Sequence, residues 1–257
     1  MRIRRATVPP VAALALALAA AAAGCGPEGP GPAPAATGAS GAPADATGAF
    51  DPAVAIAHRS REPYAATLEL TARTGEGESG ETLTVTGRVN TDTPAQGSRT
   101  EEKTVRGGSE VVAWTETLTA DGVVYQRDKA KGETGWRTDP QSARGFRADA
   151  DMVAAYAGLL LDSGPAARKG METESGVPVF HLGARLSPAQ MSRVDPSVAD
   201  GTRGGGVAAD CDLWIDRLGR PVRVRQAMVI DGMRTVTDDR FSAFGPAETF
   251  APPLTAY

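Results

Sequence analysis

From Tyr64 onward the side chains change character at every second residue, and turn signals separate one such run from the next. This pattern confines the chain to hairpin-linked antiparallel strands. Tyr64, Ala66, Leu68, Leu70 and Ala72 fall on one side of the first run, and Thr67, Glu69, Thr71 and Arg73 on the other. After the turn-rich stretch Gly75 to Gly80, Leu83, Val85, Gly87 and Val89 alternate with Thr82, Thr84, Thr86 and Arg88, so the two runs form a hairpin. Polar Arg99 to Arg106 reads as a solvent-facing edge strand. Glu110 to Thr119 is a stronger strand, with Val112, Trp114, Glu116 and Leu118 on one face. Asp121-Gly122 is a hairpin turn into Val123 to Arg127, and Gly135-Trp136-Arg137 begins a further short strand. Strand signals return in Ala167 to Glu174, Val177 to Arg185, Val207 to Ile215, Pro221 to Ile230 and Arg234 to Phe244, with turns at Ser175-Gly176, Leu218-Gly219 and Asp231-Gly232.

Three helices interrupt this meander. Asp51-Pro52 is a start signal, a carboxylate N-cap followed by a proline where no amide hydrogen is needed, and the helix ends before Pro63. Between Asp149 and Ser163, Met152, Val153, Tyr156, Leu159 and Leu160 recur at helical spacing until Gly164-Pro165. The stretch Asp151 to Leu161 is apolar enough to lie against a sheet face. Ser187-Pro188 starts a short helix or turn through Val194, and Asp195 to Gly206 reads as a loop.

Ahead of the strands the composition is of another kind. Arg2, Arg4 and Arg5 precede an apolar run from Val11 to Ala23, and Ala22-Ala23-Gly24-Cys25 closes it. A spanning helix needs roughly 20 apolar residues, so this run reads as a removable signal over residues 1–24. Its last four residues resemble the lipobox of bacterial lipoproteins, in which the cysteine thiol receives a diacylglycerol and becomes the new N-terminus. That resemblance implies lipidation at Cys25, a membrane attachment through it, and a location on the extracytoplasmic face of the cell membrane. Ala22 stands where the motif usually has leucine, and ordinary cleavage after Ala-x-Ala, giving a free secreted protein, is the alternative. Residues 25–49 are almost wholly Gly, Pro, Ala, Ser and Thr, which cannot bury enough apolar area to offset ordering entropy. They read as a tether holding a folded part, residues 50–257, a few nanometres from the bilayer.

Charge and chemistry narrow the function classes. The 257-residue chain has formal charge −4, and loss of the three signal arginines makes it more acidic still, which excludes a nucleic-acid partner held by phosphate contacts. The two cysteines are Cys25 and Cys211; with the first acylated the second has no partner in the chain, and it reads as a buried, inert thiol rather than a reactive one. His58 and His181 are the two histidines, and neither has metal-ligand spacing or a nucleophile motif beside it. Asp210 and Asp212 flank Cys211 on one strand face, and two carboxylates without further oxygen ligands read as a solvated face. Gly204-Gly205-Gly206 has no lysine or strand-to-helix context of a phosphate loop. Composition and spacing thus point to no cofactor, no metal and no catalysis.

One succession of residues points further. The order helix, hairpin, meander and mid-chain apolar helix leads to Asp212-Leu213-Trp214-Ile215-Asp216, the Gly219 turn and Val222-Arg223-Val224, and closes on Phe241-Ser242-Ala243-Phe244-Gly245. It resembles the actinobacterial lipoproteins of the LppX/LprAFG type, whose fold is akin to the LolA and LolB lipoprotein carriers. The resemblance covers roughly Phe50 to Pro253. It implies an α+β fold: a curved antiparallel β-sheet, an incomplete barrel that covers one or two helices in its concave face. It also implies an apolar cavity that takes acyl chains, in proteins that move or hold lipids, glycolipids or lipoproteins in the envelope.

Under that reading Leu68, Leu70, Leu83, Val85, Trp114, Tyr156, Leu159 and Leu160 are the residues expected to line a cavity for a lipid or glycolipid ligand. Spacing alone favours a core role for them, since apolar residues at alternating positions are core far more often than pocket. With 5% aromatic residues and many alanines, a filled interior is the competing outcome. The competing function is then a lipid-anchored interaction or sensor module that presents loops such as Asp195 to Gly206 to an envelope protein partner.

Overall fold

The computed structural model describes residues 50–59, 62–91, 97–138, 150–194, 207–230 and 232–254. The signal, Cys25, the tether and the Asp195 to Gly206 loop lie outside the described residues. Asp51 caps the first helix, α1 (Pro52–Ala57), by accepting from the Ala53 amide at 2.9 Å, with Pro52 in the first turn. β1 (Tyr64–Thr74) and β2 (Glu81–Thr91) then pair along their whole length, Leu70 opposite Val85. β3 (Ser98–Arg106), β4 (Glu110–Ala120), β5 (Val123–Asp128) and the two-residue β6 (Arg137–Thr138) extend the meander away from β1. The β4–β5 turn needs two left-handed residues, and Asp121 and Gly122 take φ 51° and 75° there.

α2 (Ala150–Asp162) follows, and the chain resumes with β7 (Arg168–Glu174), β8 (Val177–Leu186), α3 (Pro188–Val194), β9 (Ala209–Ile215), β10 (Pro221–Ile230) and β11 (Met233–Pro246). Ser187 and Gln190 cap α3 reciprocally, the Ser187 amide donating to Gln190 Oε1 at 2.9 Å and the Gln190 amide to Ser187 Oγ at 3.4 Å.

Among the described residues there is one sheet of eleven antiparallel strands, ordered β6-β5-β4-β3-β2-β1-β11-β10-β9-β8-β7. It is a large, curved, open sheet with three helices, not closed into a barrel. The last strand, β11, inserts beside the first, joining the two meanders through the β1–β11 ladder. One expectation changes: β3 is an interior strand, paired to both β2 and β4. Its polar sequence does not mark a free edge, because its side chains find partners on the neighbouring strands.

The sheet has an inner face bearing the helices and an outer face bearing charge. On the inner face α1, α2 and α3 pack through Ile56, Tyr156, Ala157, Leu160 and Met191 onto Phe180, Leu182 and Leu186 of β8, Cys211, Leu213 and Ile215 of β9, and Met228 of β10. Leu160, Leu182, Leu213 and Ile215 are fully buried, and each such side chain contributes about 1.5–3 kcal/mol.

Candidate functional site

Register places a second apolar surface on the same inner face, beyond the helices. Because cross-strand partners point to the same side, three parallel rows can be read across β11, β1, β2 and β3. They are Phe241-Leu68-Gly87-Thr100, Asp239-Leu70-Val85-Glu102 and Thr237-Ala72-Leu83-Thr104. Ala66, Leu68, Leu70, Leu83, Val89 and Phe241 are buried together as one cluster, with Val85 and Ala72 half-buried against it. Val224, opposite Asp239 on β10, touches both this cluster and the helix-bearing one, which fixes them to one face. No described helix residue belongs to the second cluster.

The eight residues expected to line a cavity therefore separate into three places. Leu68, Leu70, Leu83 and Val85 lie side by side on the inner surface of β1 and β2. Tyr156, Leu159 and Leu160 belong to the cluster beneath α2. Trp114 stands opposite Lys103 of β3 and so on the outer face, where its ring lies under the ammonium groups of Lys103 and Lys129 and its indole N–H donates to Glu101 at 2.6 Å.

Polar groups flank the β1–β2 surface. Asp239 is 3% exposed and lies one strand away from Leu70; burial, reinforced by the charge of neighbouring Asp238, pushes its carboxyl up to about 7. Glu102 lies one strand beyond Val85, and burial raises its carboxyl too. Gln226, 3% exposed and opposite Thr237, donates to the Tyr156 hydroxyl at 3.4 Å. No protein donor reaches Gln226 Oε1 or Asp239 Oδ1. Spacing could not single out these side chains, because each sits at an alternating position that reads as core.

The outer face carries two networks of ion pairs. Glu116 is held by Arg99 and Arg127, Asp238 by Arg223 and Arg240, and Glu174 by Arg223 and Arg240. An open groove of about 700 Å³ runs across β2 to β5 on this side, between Arg88, Arg99 and Arg127 and the C-terminal segment at Glu248 and Phe250.

Of the residues weighed for chemistry, His181, Asp210, Asp212 and Cys211 are held in structural contacts. His181 is set between Glu172 and Asp212, its Nδ1 2.8 Å from one and its Nε2 2.9 Å from the other. Asp210 pairs with Arg185. The Cys211 thiol is buried, lies 3.7 Å from Met191 Sδ and is pushed up to about 11, chiefly by burial. Among the described residues no group of histidine, cysteine and carboxylate side chains is arranged to hold a metal, and no helix is long and apolar enough to cross a membrane.

No family model matches the chain, and no curated protein does. The solved structure of LprF from Mycobacterium bovis matches with a TM-score of 0.43 and 16% identity, over 80% of this chain and 99% of that one. LppX from Mycobacterium tuberculosis matches with a TM-score of 0.35 and 11% identity, over 71% and 89%. A structure named as an outer membrane lipoprotein-sorting protein domain from Vibrio parahaemolyticus matches with a TM-score of 0.24 and 10% identity, over 77% and 91%.

Proposed function

We propose that this chain is a lipoprotein anchored through Cys25 on the extracytoplasmic face of the cell membrane, and that it holds an acyl chain against the inner surface of β1, β2 and β11 without catalysis. The observation that carries this reading is the split of the inner face into two apolar clusters, of which the described helices serve one. The other runs along β2 from Leu83 to Val89, about 20 Å at strand spacing, which suits an extended fatty acyl chain. Each methylene buried there contributes about 0.8 kcal/mol, so a long chain binds after ordering costs are met. Among the described residues the outer face has a smaller apolar cluster, Val179, Trp214 and Val222. The absence of catalysis is supported by the use made of His181 and Cys211, the one clamped by two carboxylates and the other a core thiol.

Native mass spectrometry of the mature protein, purified from its own envelope, tests the proposal. A lipid-sized adduct is expected, and Leu70→Trp, which fills the surface between Asp239 and Val85, should abolish it. Mature protein that never carries an adduct, and from which a bound fluorescent acyl probe is not displaced by fatty esters, would overturn the reading in favour of an interaction module.

A further inference from the structure

β7 (Arg168–Glu174) ends the sheet, and among the described residues it is paired with β8 alone. Pro178 of β8 shows which of its main-chain groups face outward. It stands opposite Thr173 and has no amide hydrogen, and proline is tolerated in a strand where the N–H would point away from the neighbour. No bond is lost on its other side, because the β8–β9 ladder reaches only to Phe180 and Ile215. Thr173–Pro178 is therefore a pair without mutual hydrogen bonds, and in an antiparallel ladder such pairs alternate with bonded ones. Glu172 and Glu174 bond to β8, while the N–H and C=O of Met171 and Thr173 point out of the sheet. The register shift of this ladder lies between Arg168 and Gly170, so Met171 to Glu174 is regular. Met171 is 48% exposed. Main-chain donors and acceptors in a row beside an exposed apolar side chain make a template for another strand.

We infer that two copies of this chain pair through β7, antiparallel and about a twofold axis at Met171, so that their sheets run on as one. Charge selects this register. Strand pairing keeps inner face beside inner face, so within the regular part of β7 the residue on the axis meets itself. Glu172 on the axis would set two like carboxylates opposite each other, and Thr173 there would set Glu172 of each copy against Glu174 of the other, both destabilising. With Met171 on the axis, Glu172 meets Gly170, the two methionines cover one another, and Lys169 comes beside Glu172 and Glu174 of the second copy. Lys169 shares the face of these carboxylates. A Cβ on Gly183 would lie 3.1 Å from Lys169 Cε and 2.6 Å from Asp212 Oδ1, and Asp212 and Glu172 hold the same imidazole. At the far end of the sheet β6 has two residues, too few to receive β7 of another copy, so pairing closes at two chains. The chain also enters the domain at this edge, where Asp51 pairs with Arg168 at 3.3 Å. A twofold axis across the sheet sends both entering segments out on one side, as two chains anchored in one membrane need. The edge is a small interface, and the anchor proposed above supplies the local concentration it requires; the lipid-holding role is not involved.

Disulfide trapping of the full chain in its own envelope tests the pairing. Opposed Cα atoms of a bonded antiparallel pair lie about 5.5 Å apart, within reach of a disulfide. Met171→Cys, oxidised with copper phenanthroline, should migrate at doubled mass in the absence of reductant. Thr173→Cys, out of register with itself, and Val229→Cys, 59% exposed on β10, should stay single. Adding Lys169→Glu to Met171→Cys sets like charges against Glu172 and Glu174 of the second copy, and should lower the doubled species roughly fivefold or more. A Met171→Cys chain that stays single would overturn the pairing, as would equal trapping at Met171, Thr173 and Val229, the mark of random collision. Trapping that Lys169→Glu leaves unchanged would overturn the register. A chain that stays single yet carries a lipid adduct loses the pairing and keeps the lipid-holding role, and a trapped pair without any adduct does the reverse.

Discussion

The imidazole of His181 lies flat on the indole of Trp214, ring centroids 4.3 Å apart and planes 15° from parallel. Glu172 closes the arrangement, accepting from the indole N–H at 2.8 Å while its other oxygen is 2.8 Å from His181 Nδ1; Asp212 holds Nε2. Both ring nitrogens facing carboxylates requires the imidazolium. Burial works against that charge, but the hydrogen bonds to Asp212 and Glu172 outweigh it and hold the His181 pKa above its ordinary value of 6.5.

The pH dependence follows from that direction. A base whose pKa is raised in the folded state contributes stability that is complete below its unfolded pKa and is lost as pH rises through its folded one. His181→Phe keeps a ring on Trp214 and removes the charge. The difference in Tm between wild type and this variant should be largest near pH 6 and shrink steadily toward pH 9. A difference that stays constant across this range, measured by calorimetry, would show that His181 acts only by packing.

Glu116 is an enclosed carboxylate of the outer face, its side chain 7% exposed, with Arg99 Nε at 2.9 Å from Oε1 and Arg127 Nε at 2.8 Å from Oε2. Arg127 also lies over Trp136, 4.7 Å from the ring centroid. Glu116→Ala leaves both guanidinium groups without this acceptor and should cost about 1–3 kcal/mol in urea unfolding. Arg185→Ala, which removes an exposed partner of Asp210, should cost under about 1 kcal/mol in the same measurement.

Gly219 brings the β9–β10 turn against α1. It has φ 75°, and a Cβ there would lie 2.6 Å from the Ala55 carbonyl oxygen. Gly219→Ala therefore meets both a left-handed backbone and a backbone contact that cannot move aside. It should destabilise the protein by at least about 1–3 kcal/mol, and early protease cleavage near α1 should accompany the lowered Tm.

Acylation is open to a direct measurement. Metabolic labelling with a fatty acid should mark the wild type and fail to mark Cys25→Ala, while Cys211→Ala retains the label. Equal labelling of wild type and Cys25→Ala would reject the anchor and leave ordinary secretion.

Local rules were enough to determine the elements of this protein from its sequence. Alternation from Tyr64 to Ala72 and from Leu83 to Val89 marked the first hairpin, Asp121-Gly122 and Ser175-Gly176 marked turns whose residues take positive φ, and Asp51-Pro52 marked the start of α1. Each of these depends on residues a few positions apart, so the signal is complete within the stretch that carries it. Only the tertiary structure decided which surfaces meet. That β3 is interior, that Leu70 and Val85 lie between Asp239 and Glu102, and that Trp114 faces outward all follow from long-range register across five strands. His181 reaches Glu172 nine residues away and Asp212 thirty-one residues away by the same route. A period of two says that neighbouring side chains point to opposite faces. It does not say which strand lies alongside, and a buried carboxyl or an unpaired amide oxygen is defined by that neighbour.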